Sequence, residues 1–313
     1  GPVSVIVVTP DAPTVPVGIQ AQFTAEAYDA YGNPVSWAAF DWSSDVGAVD
    51  ATGLLTAQTM PGSGHVTASN GTASGNASVN VVAGALDRIV VTPDPWTMTA
   101  DDEKQFVPRG YDASGNAVPI SPAWDADGGY VNETGYFTAI KVGIWTIYAN
   151  QSGLTGSAVV TVVHGAAVSI ELSPSSTTVT ADGSVAYTAT AHDADGNEWD
   201  VTSLSTFAEN DPKGTMTLNV YEAGQVGTWT VTGNYGGLED NASATVLPGA
   251  AAFINVDSPA MVDAGQSFSI TVTVYDSEGN VKTDYTGTIA LSSTDPYPAA
   301  LPPAHAYQIS DAG

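Results

Sequence analysis

The chain has 313 residues, of which 33 are Asp or Glu and only six are Lys or Arg, giving a net charge of −27. That balance excludes nucleic acid as a partner, because phosphate binding needs cationic side chains, and it argues equally against an anionic membrane surface. Cysteine is absent, which removes disulfide frameworks, thiolate metal sites and cysteine nucleophiles.

The first element is an apolar alternating run over residues 3–10 that ends at Pro10, followed by the hexapeptide Tyr28-Asp29-Ala30-Tyr31-Gly32-Asn33. Both return. Apolar runs recur at 86–93, 168–174 and 253–259, and the hexapeptide recurs at 111–116, 192–197 and 275–280. The terminal asparagines 33, 116, 197 and 280 lie 83, 81 and 83 residues apart. A period that regular marks one folding unit copied in tandem. The first three copies close with runs at 77–82, 158–163 and 242–247, each followed by a glycine, Gly84, Gly165 or Gly249. The expected domains are therefore 1–84, 85–165, 166–249 and an incomplete fourth, 250–313. No signal peptide, anchor or apolar span is evident, and both ends read as cuts through a longer array, the last strands of the fourth copy falling outside it.

Each copy is strand-built. Runs such as Val159-Val160-Thr161-Val162-Val163 alternate at period two, Gly and Pro interrupt them every 8–12 residues, and no capped helical period is present. Some seven short strands in about 80 residues read as a β-sandwich. Copies joined by little more than one glycine are expected to dock end to end into a rod, at about 35–40 Å per copy.

Val90-Val91-Thr92-Pro93 followed by the Tyr-Asp-Ala-x-Gly-Asn hairpin resembles the bacterial Ig-like repeats of prokaryotic surface proteins, which occur in adhesins, S-layer proteins and archaeal surface proteins. The resemblance covers three copies fully and the visible part of the fourth, where Asp284-Tyr285-Thr286-Gly287-Thr288-Ile289 departs from it. It implies an all-β chain of tandem immunoglobulin-like sandwiches at the cell surface or outside the cell. In the hairpin, Asp caps the turn, Gly takes positive φ and Asn tolerates it. Trp42 and Trp124 match the core tryptophan of Ig-like strands, with Phe207 in that slot in the third copy. Trp145 aligns with Trp229, and His65 stands in their place in the first copy.

Chemistry is sparse. The four histidines, His65, His164, His192 and His305, fall in different copies, although His164 and His192 approach one junction. No nucleophile elbow, phosphate loop or zinc-protease motif appears, so no catalytic residue and no resident cofactor is expected. Five sequons, at Asn70, Asn76, Asn132, Asn150 and Asn241, are candidates for N-glycosylation, with Asn70, Asn150 and Asn241 placed near one late hairpin at a sandwich pole. Acidic residues also gather where copies should meet. Asp101, Asp102 and Glu103 are expected to approach Asp193 and Asp195, and Asp182 to approach Asp276 and Glu278, so calcium could bridge these joints. The first copy has Val17-Gly18-Ile19-Gln20 at that turn and should lack such a site.

The leading functional expectation is a non-catalytic extracellular structural protein, part of a surface layer, stalk or filament. It would self-assemble with copies of itself once salt, acid or divalent cations screen its charge. Open sheet edges allow strand addition, and the strands missing from the fourth copy could come from another subunit. A second reading is an adhesin binding surface glycans through exposed aromatics, with Trp37, Trp96, Trp199 and Tyr297 as candidates. A third is a spacer within a larger secreted hydrolase.

Overall fold

The computed structural model describes every residue except Thr72 and Pro298. Among the described residues there is no α-helix; two short 3-10 turns, Thr202–Leu204 and Ile309–Asp311, are the helical segments. The chain is all-β and folds as tandem Ig-like β-sandwiches. It divides into two compact units, Gly1–Val163 and His164–Gly313.

The first three repeats share one strand plan. In the first, the opening strand Val5–Thr9 pairs antiparallel with Thr24–Tyr28. Pro10, which has no N–H to continue the ladder, follows it. The chain then enters the facing sheet as Thr14–Pro16, parallel to Ser74–Val82. That sheet runs in the order Thr14–Pro16, Ser74–Val82, Gly62–Ser69, Asp41–Ser44. A third small sheet joins Gln20–Gln22, Leu54–Ala57 and Gly47–Val49. The second repeat copies this with a four-stranded sheet of Trp96–Thr99, Leu154–Val163, Gly143–Gln151 and Ala123–Ala126. The third does so with Ser176–Thr180, Leu238–Leu247, Gly227–Tyr235 and Thr206–Glu209.

Period-two alternation decides what is buried. Along Ser74–Val82, Ala77, Val79 and Val81 point inward while Asn76, Ser78 and Asn80 face water. Three separate apolar cores result, one in each of these repeats. Their centres are Phe23 with Leu55, Phe106 with Phe137, and Tyr187 with Tyr221, all fully buried. Phe106 and Phe137 meet edge to face at 6.3 Å. Burying one such side chain contributes about 1.5–3 kcal/mol.

The expected tryptophans flank these centres. Trp42, Trp124 and Phe207 occupy equivalent positions opposite Ala68, Ala149 and Gly233, and are half-buried. The rings of Trp42 and Trp124 lie against Gly53 and Gly135, where a Cβ would meet the indole and φ is +84° and +86°. The expected alignment of His65 is one residue off. Strand pairing sets Gly64 opposite Val79, as Trp145 is opposite Val160 and Trp229 opposite Ala244. Gly64 therefore holds the tryptophan slot, with Asp45 and Val46 filling the space. His65 falls on the outer face, half exposed, where Thr146 and Thr230 stand in the other repeats. A one-residue slip in a strand moves a side chain to the opposite face.

The fourth repeat holds the opening pair Ala251–Asp257 with Thr271–Asp276 and a short pair Thr288–Ile289 with His305–Ala306. Tyr307 is buried there and donates its hydroxyl to the Val272 carbonyl at 2.7 Å.

Candidate functional site

A polar constellation shared by all four repeats is the hairpin aspartate. Asp29, Asp112, Asp193 and Asp276 are at most 6 % exposed. In the second repeat Oδ1 of Asp112 accepts the Ser114 and Asn116 N–H groups at 2.9 and 2.8 Å, and the Asn116 amide donates to both carboxylate oxygens. The other three hairpins repeat the pattern, Asn33, Asn197 and Asn280 donating to their own aspartate. Gly115 closes the turn at φ +85°, a conformation that side chains rarely adopt, and Gly32, Gly196 and Gly279 match it.

The second carboxylate oxygen does something that turn chemistry does not require. Oδ2 of Asp112 accepts the N–H of Gly84 at 2.8 Å, Oδ2 of Asp193 that of Gly165 at 2.8 Å, and Oδ2 of Asp276 that of Gly249 at 2.9 Å. These are the handover glycines, 28, 28 and 27 residues upstream. Oδ2 of Asp29 takes the Gly1 ammonium at 3.2 Å in the corresponding place. One side chain thus fixes the hairpin and the linker together.

These carboxylates are held ionised. Burial pushes the Asp112 carboxyl up, but the Asn116 amide, the Gly84 N–H and the hairpin N–H groups outweigh it and bring it down to about 2. Asp193 is likewise lowered to about 2, against burial, by Asn197, Gly165 and Asp195. Asp276 is lowered in the same way. Asp29 is lowered chiefly by the Asn33 N–H and side chain. Hydrogen bonds to a carboxylate favour its charged form and here exceed desolvation.

The hairpin also reaches back to the preceding repeat. In the first unit, the Asn116 amide donates to the Thr59 carbonyl at 2.9 Å. In the second, the Asn280 amide donates to the Gly224 carbonyl at 2.8 Å, Val226 N–H donates to Asn280 Oδ1 at 3.3 Å, and Lys213 Nζ donates to the Glu278 carbonyl at 2.6 Å. Behind Gly224 stands Asp211, 5 % exposed, which accepts the N–H groups of Lys213, Gly224 and Gln225 and the Tyr221 hydroxyl.

The expected calcium ligands are placed as follows. Asp102 caps its own turn, accepting Thr99 N–H and hydroxyl at 3.0 and 2.8 Å. Asp101, Asp102 and Glu103 belong to the first unit and Asp193 and Asp195 to the second, so neither unit by itself carries that set. Asp182 does come to the same linker as Asp276, accepting the Ala250 N–H at 3.3 Å. There, however, Lys282 donates to the Pro248 carbonyl at 3.2 Å and pairs with Asp284 at 2.9 Å, and the carboxylates receive N–H donors. Glu278 contributes its carbonyl to Lys213. Among the described residues no three His, Asp or Glu side chains converge as metal ligands.

Of the sequon asparagines, Asn76 and Asn241 take the same register, opposite Thr67 and Thr232 on the outer sheet face, and both are exposed. Asn241 is thus mid-strand, away from the late hairpin expected for it. Asn70 and Asn150 do lie at that hairpin, Asn70 donating to the Ala39 carbonyl and Asn150 accepting the Thr155 hydroxyl. Thr72, which completes the Asn70 sequon, lies outside the described residues. Asn132 caps a turn, accepting Thr134 and Tyr136 N–H groups.

Among the histidines, His164 stacks on Trp199 at 3.7 Å and His192 sits between Glu171 and Glu198 at 3.7 and 3.6 Å. His305 pairs with Asp311 at 2.9 Å. Trp199 is therefore half-buried under an imidazole, and Trp96 carries the Lys104 ammonium 3.6 Å over its ring. Trp37 and Tyr297 are exposed. The sequence signal of the linker clasp is the constant 27- or 28-residue spacing of handover glycine and hairpin aspartate.

No protein-family model matches the chain. It is 28 % identical over 312 residues to ice-binding protein 1 of Shewanella frigidimarina, a match covering 95 % of this chain and 34 % of that protein. The chain therefore spans about a third of the length of the curated relative it matches. Among solved structures it is similar to the Escherichia coli adhesin FdeC, with TM-score 0.43 and 21 % identity over 79 % of this chain and 98 % of that one. It is also similar to invasin, a bacterial integrin-binding protein, with TM-score 0.41 and 19 % identity over 80 % of this chain and 61 % of that one. The S-layer protein SbsC gives TM-score 0.32 and 15 % identity over 90 % of this chain and 44 % of that one.

Proposed function

We propose that this chain is a non-catalytic extracellular spacer, a series of Ig-like repeats that holds its neighbours in the polypeptide at a set distance. The observation that carries this is the recurring clasp. The same buried aspartate fixes the hairpin and the incoming linker glycine in the second, third and fourth repeats. A linker whose amide is held by a buried, ionised carboxylate has few conformations left to it, which is what a spacer needs. The excess of acidic groups supports solubility outside the cell.

The relative whose name specifies ice binding is about three times as long as the matched stretch, which fits a spacer within a longer surface protein. Self-assembly into a layer or filament, display of glycans at the exposed Asn76 and Asn241, and calcium between neighbouring chains belong to this reading as proposals. Small-angle scattering tests it. The unaltered chain should give a narrow distance distribution within each pair of clasped repeats. Replacing Asp112, Asp193 and Asp276 by Ala together should broaden the distance distribution. A wild-type chain as flexible as the triple variant would overturn the spacer reading.

A further inference from the structure

The six cations of the chain are unevenly placed. Four of them, Arg88, Lys104, Arg109 and Lys141, belong to the second repeat, and the first repeat has no Lys or Arg. Arg88 and Arg109 share one exposed sheet face. Arg88 pairs with Tyr111 and Val90 with Arg109, while Ile89 and Gly110 between them are buried on the other side. The Arg88 guanidinium lies 5.0 Å over the Tyr111 ring. Among the described residues neither arginine forms an ion pair, although the chain holds 33 acids. Asp87, at the bulge between Leu86 and Arg88, borders the face without pairing either of them. Beside the arginines Val90 and Val107 are 39 % and 44 % exposed. A guanidinium is weakly hydrated and meets a carboxylate through two parallel N–H donors, so arginine is favoured where a charge enters an interface. Two of them among exposed valines, in a chain of net charge −27, suit a partner that is both acidic and apolar.

The first repeat presents that complement at the same positions. Val5 pairs with Tyr28 and Val7 with Glu26, so Val5 stands where Arg88 does, Val7 where Val90 does and Glu26 where Arg109 does. Val5 and Val7 are 51 % and 44 % exposed. The Tyr28 hydroxyl donates to Glu26 Oε2 at 2.6 Å, which orients the carboxylate on this face. The third repeat is different. Ser169, Glu171, Thr190 and His192 fill the four positions, and Glu171 already lies 3.7 Å from His192.

We propose that the Arg88–Arg109 face of the second repeat docks the Val5–Val7–Glu26 face of the first repeat of a second copy of this chain. In that contact Val5 and Val7 cover Val90 and Val107, and Glu26 accepts from Arg109. The two faces differ. Used reciprocally between two chains the contact closes a dimer, and used in succession it builds an array. The proposal deepens the self-assembly held within the spacer reading and rests on that part of it alone.

The test is sedimentation of the 313-residue chain at about 0.15 M salt, over concentrations rising to the millimolar range. The chain should self-associate reversibly. Arg109→Glu and Glu26→Arg should each weaken that association roughly 30-fold, and an equimolar mixture of the two variants should restore it, because each then meets the opposite charge. Restoration also shows that both variants are folded. If general repulsion governs association instead, Glu26→Arg associates more strongly than the unaltered chain because it lowers the net negative charge, and that result overturns the proposal. A chain that stays monomeric throughout overturns it, and so does a mixture that fails to associate. Loss of association on Glu171→Arg but not on Glu26→Arg overturns the stated pairing by moving the acidic partner to the third repeat. None of these outcomes touches the clasps that carry the spacer reading, whose failure shows instead in the scattering experiment.

Discussion

The joint between the first and second repeats and the joint between the third and fourth are built on the same clasp, yet they grip the preceding repeat differently. At the first, Asn116 reaches the Thr59 carbonyl, in a loop whose neighbour Met60 is exposed. At the second, Asn280 both donates to Gly224 and accepts from Val226, Lys213 adds a bond, and Asp211 pins Gly224 and Gln225 from within. A hydrogen bond to a loop transmits restraint only as far as the loop is itself held. The second joint is expected to be stiffer because its acceptor is buttressed by a buried carboxylate, not because its clasp is different.

Acid should weaken both joints at once and has the largest expected effect. Asp112 and Asp193 titrate at about 2 in the folded chain. An unfolded aspartate titrates at about 3.9. A carboxyl depressed on folding contributes fully above its unfolded value and loses that contribution as pH falls toward its folded value. Urea midpoints should therefore hold steady down to about pH 4 and fall between there and about pH 2. The difference curve against Asp112→Asn isolates the clasp from the general relief of charge repulsion. An unchanged slope in that variant would contradict the assignment.

Asp276→Ala comes next. It leaves the Gly249 N–H and the Asn280 side chain without their buried acceptor, a loss of about 3 kcal/mol for the fourth repeat. Calorimetry should show an early transition in that variant. Asn280→Ala should cost about 1–2 kcal/mol and expose the linker at Gly249 to proteolysis. Asn116→Ala should have a smaller effect on cleavage near Gly84, because it severs one bond, to the Thr59 carbonyl. If the two linkers are cut at equal rates in the paired variants, the buttress at Asp211 has no mechanical role. Lys213→Ala is the mildest change, about 0.5 kcal/mol, since its ammonium is in water. Its effect should nonetheless appear at the third–fourth linker and be absent from the first–second one.

Much of this was legible in the sequence. The 83-, 81- and 83-residue spacing of Asn33, Asn116, Asn197 and Asn280 gave the repeat, and alternation gave the strands. The Asp-x-x-Gly-Asn pattern gave the hairpin, because turn chemistry is decided within four or five residues. The order of the core was less visible. Trp42 and Trp124 match the core tryptophan of Ig-like strands and do pack against the core, but they are only half-buried, while Phe23, Phe106 and Tyr187 are fully buried, since burial depth depends on which strand faces which.

The sequence by itself determined the copied unit, its strands, its hairpins and its acidity, all of which follow from local residue preferences and counting. Only the tertiary structure decided that Gly64, not His65, takes the tryptophan slot, because strand register is set by the partner. It alone decided that each hairpin aspartate holds a glycine 27 or 28 residues upstream. Those are relations between segments distant in the chain, and a carboxylate's second oxygen finds its donor only once the sheets have packed and brought the linker beside it.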